Sequence, residues 1–143
     1  MGRIMAVDYG TKRTGLAVTD PSRIIATALD TVPTHQLFAY LHQYFTHQTV
    51  DTIVVGDPRR LNNESSSTTV LVNQFVVRLQ KEFPVMHIAR YDERFTSLMA
   101  SRSLIESGQS RKVRRDKGMI DRVSATILLQ NYLASLSSSS ERL

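Results

Sequence analysis

Apolar positions along the chain alternate between two spacings. Residues 3–8 carry Ile4-Met5-Ala6-Val7 without interruption and stop at Tyr9-Gly10, which predicts a buried strand. Residues 15–20 predict its hairpin partner, and residues 24–29 a third strand beyond the Asp20-Pro21-Ser22 turn. Residues 36–47 shift to helical spacing through Leu37, Tyr40, Leu41, Tyr44 and Phe45. The β-branched run over residues 52–56 predicts a buried strand that ends at Asp57-Pro58. Polar residues 59–67 predict a loop, followed by a helix over 68–83 that buries Val72, Phe75, Val76 and Leu79 and closes at Pro84. Residues 85–89 predict another strand. Residues 96–107 predict a helix with Thr96 as N-cap and Gly108 as stop, and residues 117–134 a last one.

Three strands followed by alternating helices and strands indicate an α/β sheet covered by helices. No repeat and no linker interrupts it. The expected organisation is one domain over residues 1–136 and a flexible Ser-rich tail over residues 137–143.

Composition narrows the chemistry. The 143 residues suit one domain, and 41% hydrophobic with 22% charged residues is globular composition. Cysteine is absent, which excludes disulfides, thiolate catalysis and cysteine zinc sites and agrees with a reducing cytoplasm. No apolar run reaches the roughly 18 residues of a membrane span, and no signal peptide opens the chain. A cytoplasmic protein without membrane association is expected. Arg111, Lys112, Arg114, Arg115 and Lys117 surround a single Asp116, so this stretch carries +4 of the net +5. Concentrated positive charge attracts polyanions through steering and counterion release. A solvated basic loop accounts for the same charge equally well.

Three acids stand out against that background. Asp8 closes the first strand, at the rim where open α/β sheets bind ligands, although a turn-forming aspartate looks the same. Asp92-Glu93-Arg94 follows a later strand, and neighbours in an extended segment point oppositely, so one of the two acids faces a site there. Asp121 shares a helix face with Ala125, Leu128 and Tyr132, while Ile120, Val123 and Ile127 widen the apolar surface. An acid in the first turn of so buried a helix must be solvated, paired or metal-bound. The helix N-terminus favours its ionised form, and the small Ser124 and Ala125 allow close approach to the sheet. Three acids from separate elements are reconciled by Mg²⁺, which takes hard oxygen ligands and activates water for phosphodiester hydrolysis. His35, His42, His47 and His87 lack metal-site spacing and read as packing residues.

The ordered set of motifs resembles the YqgF/RuvX family of pre-16S ribosomal RNA nucleases, also described as Holliday-junction-resolvase-like. The resemblance covers Ile4 to about Leu133 and rests on four stretches. These are Asp8-Tyr9-Gly10-Thr11-Lys12-Arg13-Thr14-Gly15, Val54-Val55-Gly56 with Pro58, Asp92-Glu93-Arg94 with Thr96, and Ser110-Arg111-Lys112 followed by Asp121 and Ala125. It implies an RNase H-like fold, a mixed five-stranded sheet with the first three strands antiparallel and helices on its flanks. It implies catalytic and metal-binding roles for Asp8, Glu93 and Asp121, with Asp8 central, and a pair of Mg²⁺ or Mn²⁺ ions. Lys12 and Arg13 would hold phosphate. Arg94, Arg111, Lys112, Arg114, Arg115 and Lys117 complete the expected nucleic-acid surface. The implied activity is phosphodiester hydrolysis in maturation of the 16S rRNA 5′ end, with the ribosome or its precursors as partners and a monomer or homodimer as the working form. The chain departs from the family at Asp57, where an apolar residue is usual, in the glycine-poor loop of residues 59–67, and at Ser124, where alanine is preferred.

Three other readings share parts of this pattern. The actin and sugar-kinase ATPases also open on Asp-x-Gly-Thr, but they close two such domains around a nucleotide and this chain has room for one. Resolution of Holliday junctions or other branched DNA would use the same acids. A catalytically idle nucleic-acid-binding module needs only the basic segment, and gains nothing from carboxylates that repel phosphate.

Overall fold

The computed structural model describes residues 2–57, 67–92 and 117–141. Five strands form one mixed sheet: β1 (Arg3–Asp8), β2 (Arg13–Thr19), β3 (Ala26–Pro33), β4 (Val50–Asp57) and β5 (His87–Asp92), in the order β3-β2-β1-β4-β5. The pairs β1–β2 and β2–β3 are antiparallel, while β4 joins β1, and β5 joins β4, in parallel. Helix α1 (Leu37–His47) follows a short 3₁₀ turn at Thr34–Gln36, α2 (Ser67–Glu82) follows β4, and α3 (Lys117–Glu141) comes last.

The uninterrupted apolar run of β1 is explained by burial on both sides. Met5 and Val7 join Leu16, Val18, Ile53 and Val55 in a core completed by Leu37 and Leu41 of α1 and Val72, Phe75 and Leu79 of α2. Ile4 and Ala6 point the other way, into a second core with Ala17, Val54 and Ala125, Leu128 and Leu129 of α3. On the α3 side β1 presents Ala6 and β2 presents Ala17, small residues against which this helix packs. Truncating Leu128, which is fully buried in that contact, costs about 2–5 kcal/mol by analogy with other core leucines.

Several boundaries differ from the sequence reading, each for a local reason. The third strand runs over Ala26–Pro33 rather than residues 24–29. Asp20 Oδ1 accepts the N–H groups of both Ile24 and Ile25 at 2.8 Å, which makes those residues part of the turn and leaves them exposed. These contacts, that of Ile25 first, hold the Asp20 carboxyl below its ordinary range. The fifth strand runs over His87–Asp92 rather than residues 85–89, because the Met86 N–H bonds the Phe83 carbonyl at 3.0 Å and turns Val85 outward. The second strand starts earlier than residue 15, at Arg13, and α3 continues past residue 134 to Glu141. The expected helix over residues 96–107 lies outside the described residues, as does the expected loop over 59–67 except for Ser67, which opens α2. Among the described residues, no helix is long and apolar enough to cross a membrane.

Candidate active site

Side chains alternate across β1, so Asp8 projects to the face that Ile4 and Ala6 share, the face covered by α3. Its cross-strand neighbour is Gly15 of β2. A Cβ placed on Gly15 would lie 2.1 Å from the Asp121 carbonyl oxygen and 3.1 Å from the Asp121 Cβ. Only a residue without a side chain lets α3 rest there at Asp121, in its second turn rather than the first turn that the sequence suggested. Asp8 and Asp121, far apart in the chain, are therefore both neighbours of one glycine at the carboxyl edge of β1.

Arg13 belongs to the same corner. It shares the β2 face of Gly15 and Ala17, and its Nε donates to Asp121 Oδ2 at 2.9 Å. The pair is partly solvent-exposed, with 40% of the Arg13 side chain and 23% of the Asp121 side chain accessible, so its own contribution to stability is small. Its consequence is positional, because a guanidinium occupies one oxygen of a carboxylate that the sequence led us to expect as a metal ligand. Lys12 lies next to it in the exposed loop between β1 and β2. On the same helix Arg122 reaches Thr31 of β3 at 3.4 Å, and a further contact joins Tyr91 of β5 to Tyr132 with ring centroids 6.3 Å apart.

Asp57 sits elsewhere. It alternates with Ile53 and Val55 toward the α2 side of the sheet, where Arg90 Nη2 stands 3.7 Å from its Oδ1. Arg90 in turn donates to Asn73 Oδ1 of α2 at 2.7 Å. The acid that departs from the family pattern is tied into the opposite face from Asp8. It does not add to the corner that Asp8 and Asp121 share.

Of the expected site residues, the structure pairs Arg13 with Asp121 and seats Asp121 on Gly15, the cross-strand neighbour of Asp8, while Lys12 precedes Arg13 in the exposed loop. Glu93, Arg94, Arg111, Lys112, Arg114 and Arg115 lie outside the described residues, and Lys117 is described only as the start of the α3 backbone. The sequence reading gave Arg13 to phosphate and missed its pairing with Asp121, for which a contact spanning 108 positions leaves no local signal.

No cluster of three or more metal-ligating side chains occurs among the described residues, which do not include Glu93. The two acids that are described still fit a divalent cation. Both offer hard carboxylate oxygens, and the bare face of Gly15 lets α3 rest on β2 next to Asp8.

The sequence profile of the family described as "RuvX: Holliday junction resolvase" matches residues 2–135. A protein of Porphyromonas gingivalis named "Putative pre-16S rRNA nuclease" is 51% identical over 133 residues, covering 93% of this chain and 96% of its own length. One of the same name from Flavobacterium johnsoniae is 47% identical over 135 residues, with 94% and 98% covered. Among solved structures, RuvC of T. thermophilus in complex with a Holliday junction substrate superposes with a TM-score of 0.58 at 14% identity, covering 95% of this chain and 96% of that one. That likeness establishes an RNase H-like fold.

Proposed function

Since this chain belongs to the RuvX family of Holliday-junction-resolvase-like proteins, we propose that it is a nuclease whose centre is built on Asp8, Glu93 and Asp121 and whose substrate is precursor 16S rRNA. It is a hydrolase acting on phosphodiester bonds. The observation that carries the assignment of the centre is the seating of Asp121 on Gly15, the cross-strand neighbour of Asp8.

Asp8, Glu93 and Asp121 would hold one or two divalent cations, Mg²⁺ or Mn²⁺. When bound, such ions supply an activated water and stabilise charge on the phosphate and the leaving oxygen. The remaining work falls to the chain. Lys12 and Arg13 stand on the β1–β2 loop and the strand after it, where their charges attract a backbone phosphate. Arg13 neutralises Asp121 when the site is empty of substrate and turns to the phosphate when it arrives. Asp8 is held in place by pairing of β1 on both of its edges. The basic residues Arg94, Arg111, Lys112, Arg114, Arg115 and Lys117 extend the nucleic-acid surface, with precursor ribosomal particles as the partner and the cytoplasm as the place of action.

The test is cleavage of end-labelled precursor 16S rRNA by wild type and Asp8→Asn, each with Mg²⁺, Mn²⁺ or EDTA. Cutting that needs metal and disappears in the variant is expected. Folded wild type that cuts nothing under any of these conditions refutes the reading. The family description favours a second substrate, so a four-way DNA junction belongs in the same assay. Preferential cutting of the junction would make the protein a resolvase with the same centre.

A further inference from the structure

The loop that carries Lys12 and leads into Arg13 at the start of β2 is held from outside by Thr34. Thr34 opens the 3₁₀ turn after β3, directly behind Pro33, which pairs with Arg13 across the β2–β3 ladder. The Thr34 N–H donates to the Lys12 carbonyl at 2.9 Å, and its Oγ1 donates to the Gly10 carbonyl at 2.6 Å. The same Oγ1 lies 3.0 Å from the hydroxyl of Thr14, which is fully buried. A hydroxyl has one hydrogen. Thr34 spends its own on Gly10, so in the second contact Thr14 donates and Thr34 accepts.

The loop is also folded on itself. A Cβ on Gly10 would lie 2.3 Å from the Arg13 carbonyl oxygen, so the chain doubles back tightly over these four residues. One threonine thereby fixes both ends of the Gly10–Lys12 segment, and the next residue is the one that grips Asp121. Exposed loops with two lysine- and arginine-length side chains ordinarily sample many rotamers, at a substantial entropic cost to any defined contact. Fixing the main chain beneath them removes part of that cost.

We propose that Thr34 is a positioning residue for this site: through Gly10 and Lys12 it aims Arg13 at Asp121, and hence at the phosphate that replaces Asp121. The inference rests on the reading of Asp121 and Arg13 as site residues. Thr34 touches neither substrate nor metal in this account and acts through the loop alone. The sequence reading did not include it, because nothing near Thr34 in the chain marks it.

The contact is visible without any turnover. The Arg13 Nε–Hε group, bonded to Asp121, should give a protected signal in ¹⁵N–¹H NMR spectra of the full chain. Thr34→Val keeps the shape and removes the hydroxyl. It should speed exchange of that proton by about tenfold, the effect of one lost hydrogen bond. Thr34→Ser, which keeps the hydroxyl, should restore wild-type protection. Thr14→Val removes only the neighbouring donor and should leave the Arg13 signal unchanged. In precursor-RNA cleavage the Thr34→Val variant should show a raised KM, again recovered by Thr34→Ser. If Thr34→Val does not fold, Thr34→Ala is read by the same signal.

An Arg13 signal indifferent to removal of the Thr34 hydroxyl overturns the proposal. So does equal loss in Thr14→Val, which would mean general packing instead of aim. A wild type that cuts no RNA, while its Arg13 signal responds to Thr34 as described, would leave the positioning intact and remove the nuclease reading.

Discussion

Gly15 and Asp121 touch so closely that a single carbon would part them: a Cβ on the glycine would stand 2.1 Å from the carbonyl oxygen of the acid. The clash is with backbone, which no rotamer change relieves. Gly15→Ala must therefore push the start of α3 away from β2, and with it Asp121 away from Asp8. Misplacing a reacting group by about 1 Å is enough to lower a rate by about 100-fold. Overpacking of this kind also destabilises by roughly 1–3 kcal/mol. Gly15→Ala is thus expected to remain folded in urea titration and to cut precursor RNA about 100-fold more slowly. Wild-type cleavage rates in this variant would show that the two acids need not be held together by this contact.

Ser124 makes the opposite prediction, a substitution that helps. It is 1% exposed on the sheet-facing side of α3, and its Oγ has no hydrogen-bond partner among the described residues. A buried hydroxyl without a partner carries a desolvation penalty of about 1–3 kcal/mol. Ser124→Ala removes the oxygen and leaves a cavity too small to matter. The variant should melt about 2–4 °C higher, the shift expected per kcal/mol in a chain of this size. A lower melting temperature would reveal a partner for the hydroxyl.

What could be read in the sequence and what could not divides along contact distance. β1 was legible from end to end, because burial on both faces writes itself as an unbroken apolar run in Ile4-Met5-Ala6-Val7. Helices α1 and α2 were legible because each buries one stripe, Leu37 and Leu41 or Val72, Phe75 and Leu79. The start of β3 was not, since Ile24 and Ile25 look like strand residues and only the Asp20 carboxylate, which takes both their N–H groups, makes them a turn. In the site, Asp8 and Asp121 stood out as acids beside apolar runs. That Gly15 joins them, that Arg13 pairs with Asp121, and that Asp57 faces α2 all depend on contacts between distant elements. No pattern of neighbouring residues encodes those.

The basic stretch around Arg114 and Arg115 offers a test by salt. If these side chains contact phosphates, each released counterion contributes about 0.7–0.9 to the slope of log affinity against log salt. Arg114→Gln with Arg115→Gln should therefore weaken binding of precursor RNA at every sequence and flatten that slope by about 1.4–1.8. Fluorescence anisotropy across a salt series measures both quantities. Unchanged affinity and slope would assign the segment to plain solvation and leave Lys12 and Arg13 as the main phosphate contacts.

Tyr40 provides a pH dependence remote from the site. Its side chain is half-buried on α1, and burial first, then the charge of Asp30 and the neighbouring Tyr44, pushes its phenol from 10.0 up to about 12. The folded state therefore holds the proton more tightly than the unfolded chain. By linkage, the stability this phenol contributes is fully present below pH 10 and is lost as pH rises toward about 12. Burial raises Tyr44 in the same direction, so the fall in stability has two sources and only part belongs to Tyr40. Tyr40→Phe should flatten the decline of the urea midpoint between pH 10 and 12 without abolishing it. Absorbance titration should show one phenol fewer ionising at the alkaline end. Asp30→Asn should bring the Tyr40 transition down while keeping it above its ordinary value, because burial is the larger cause. An identical alkaline decline in wild type and Tyr40→Phe would mean that this phenol is solvated and that its neighbours do not govern it.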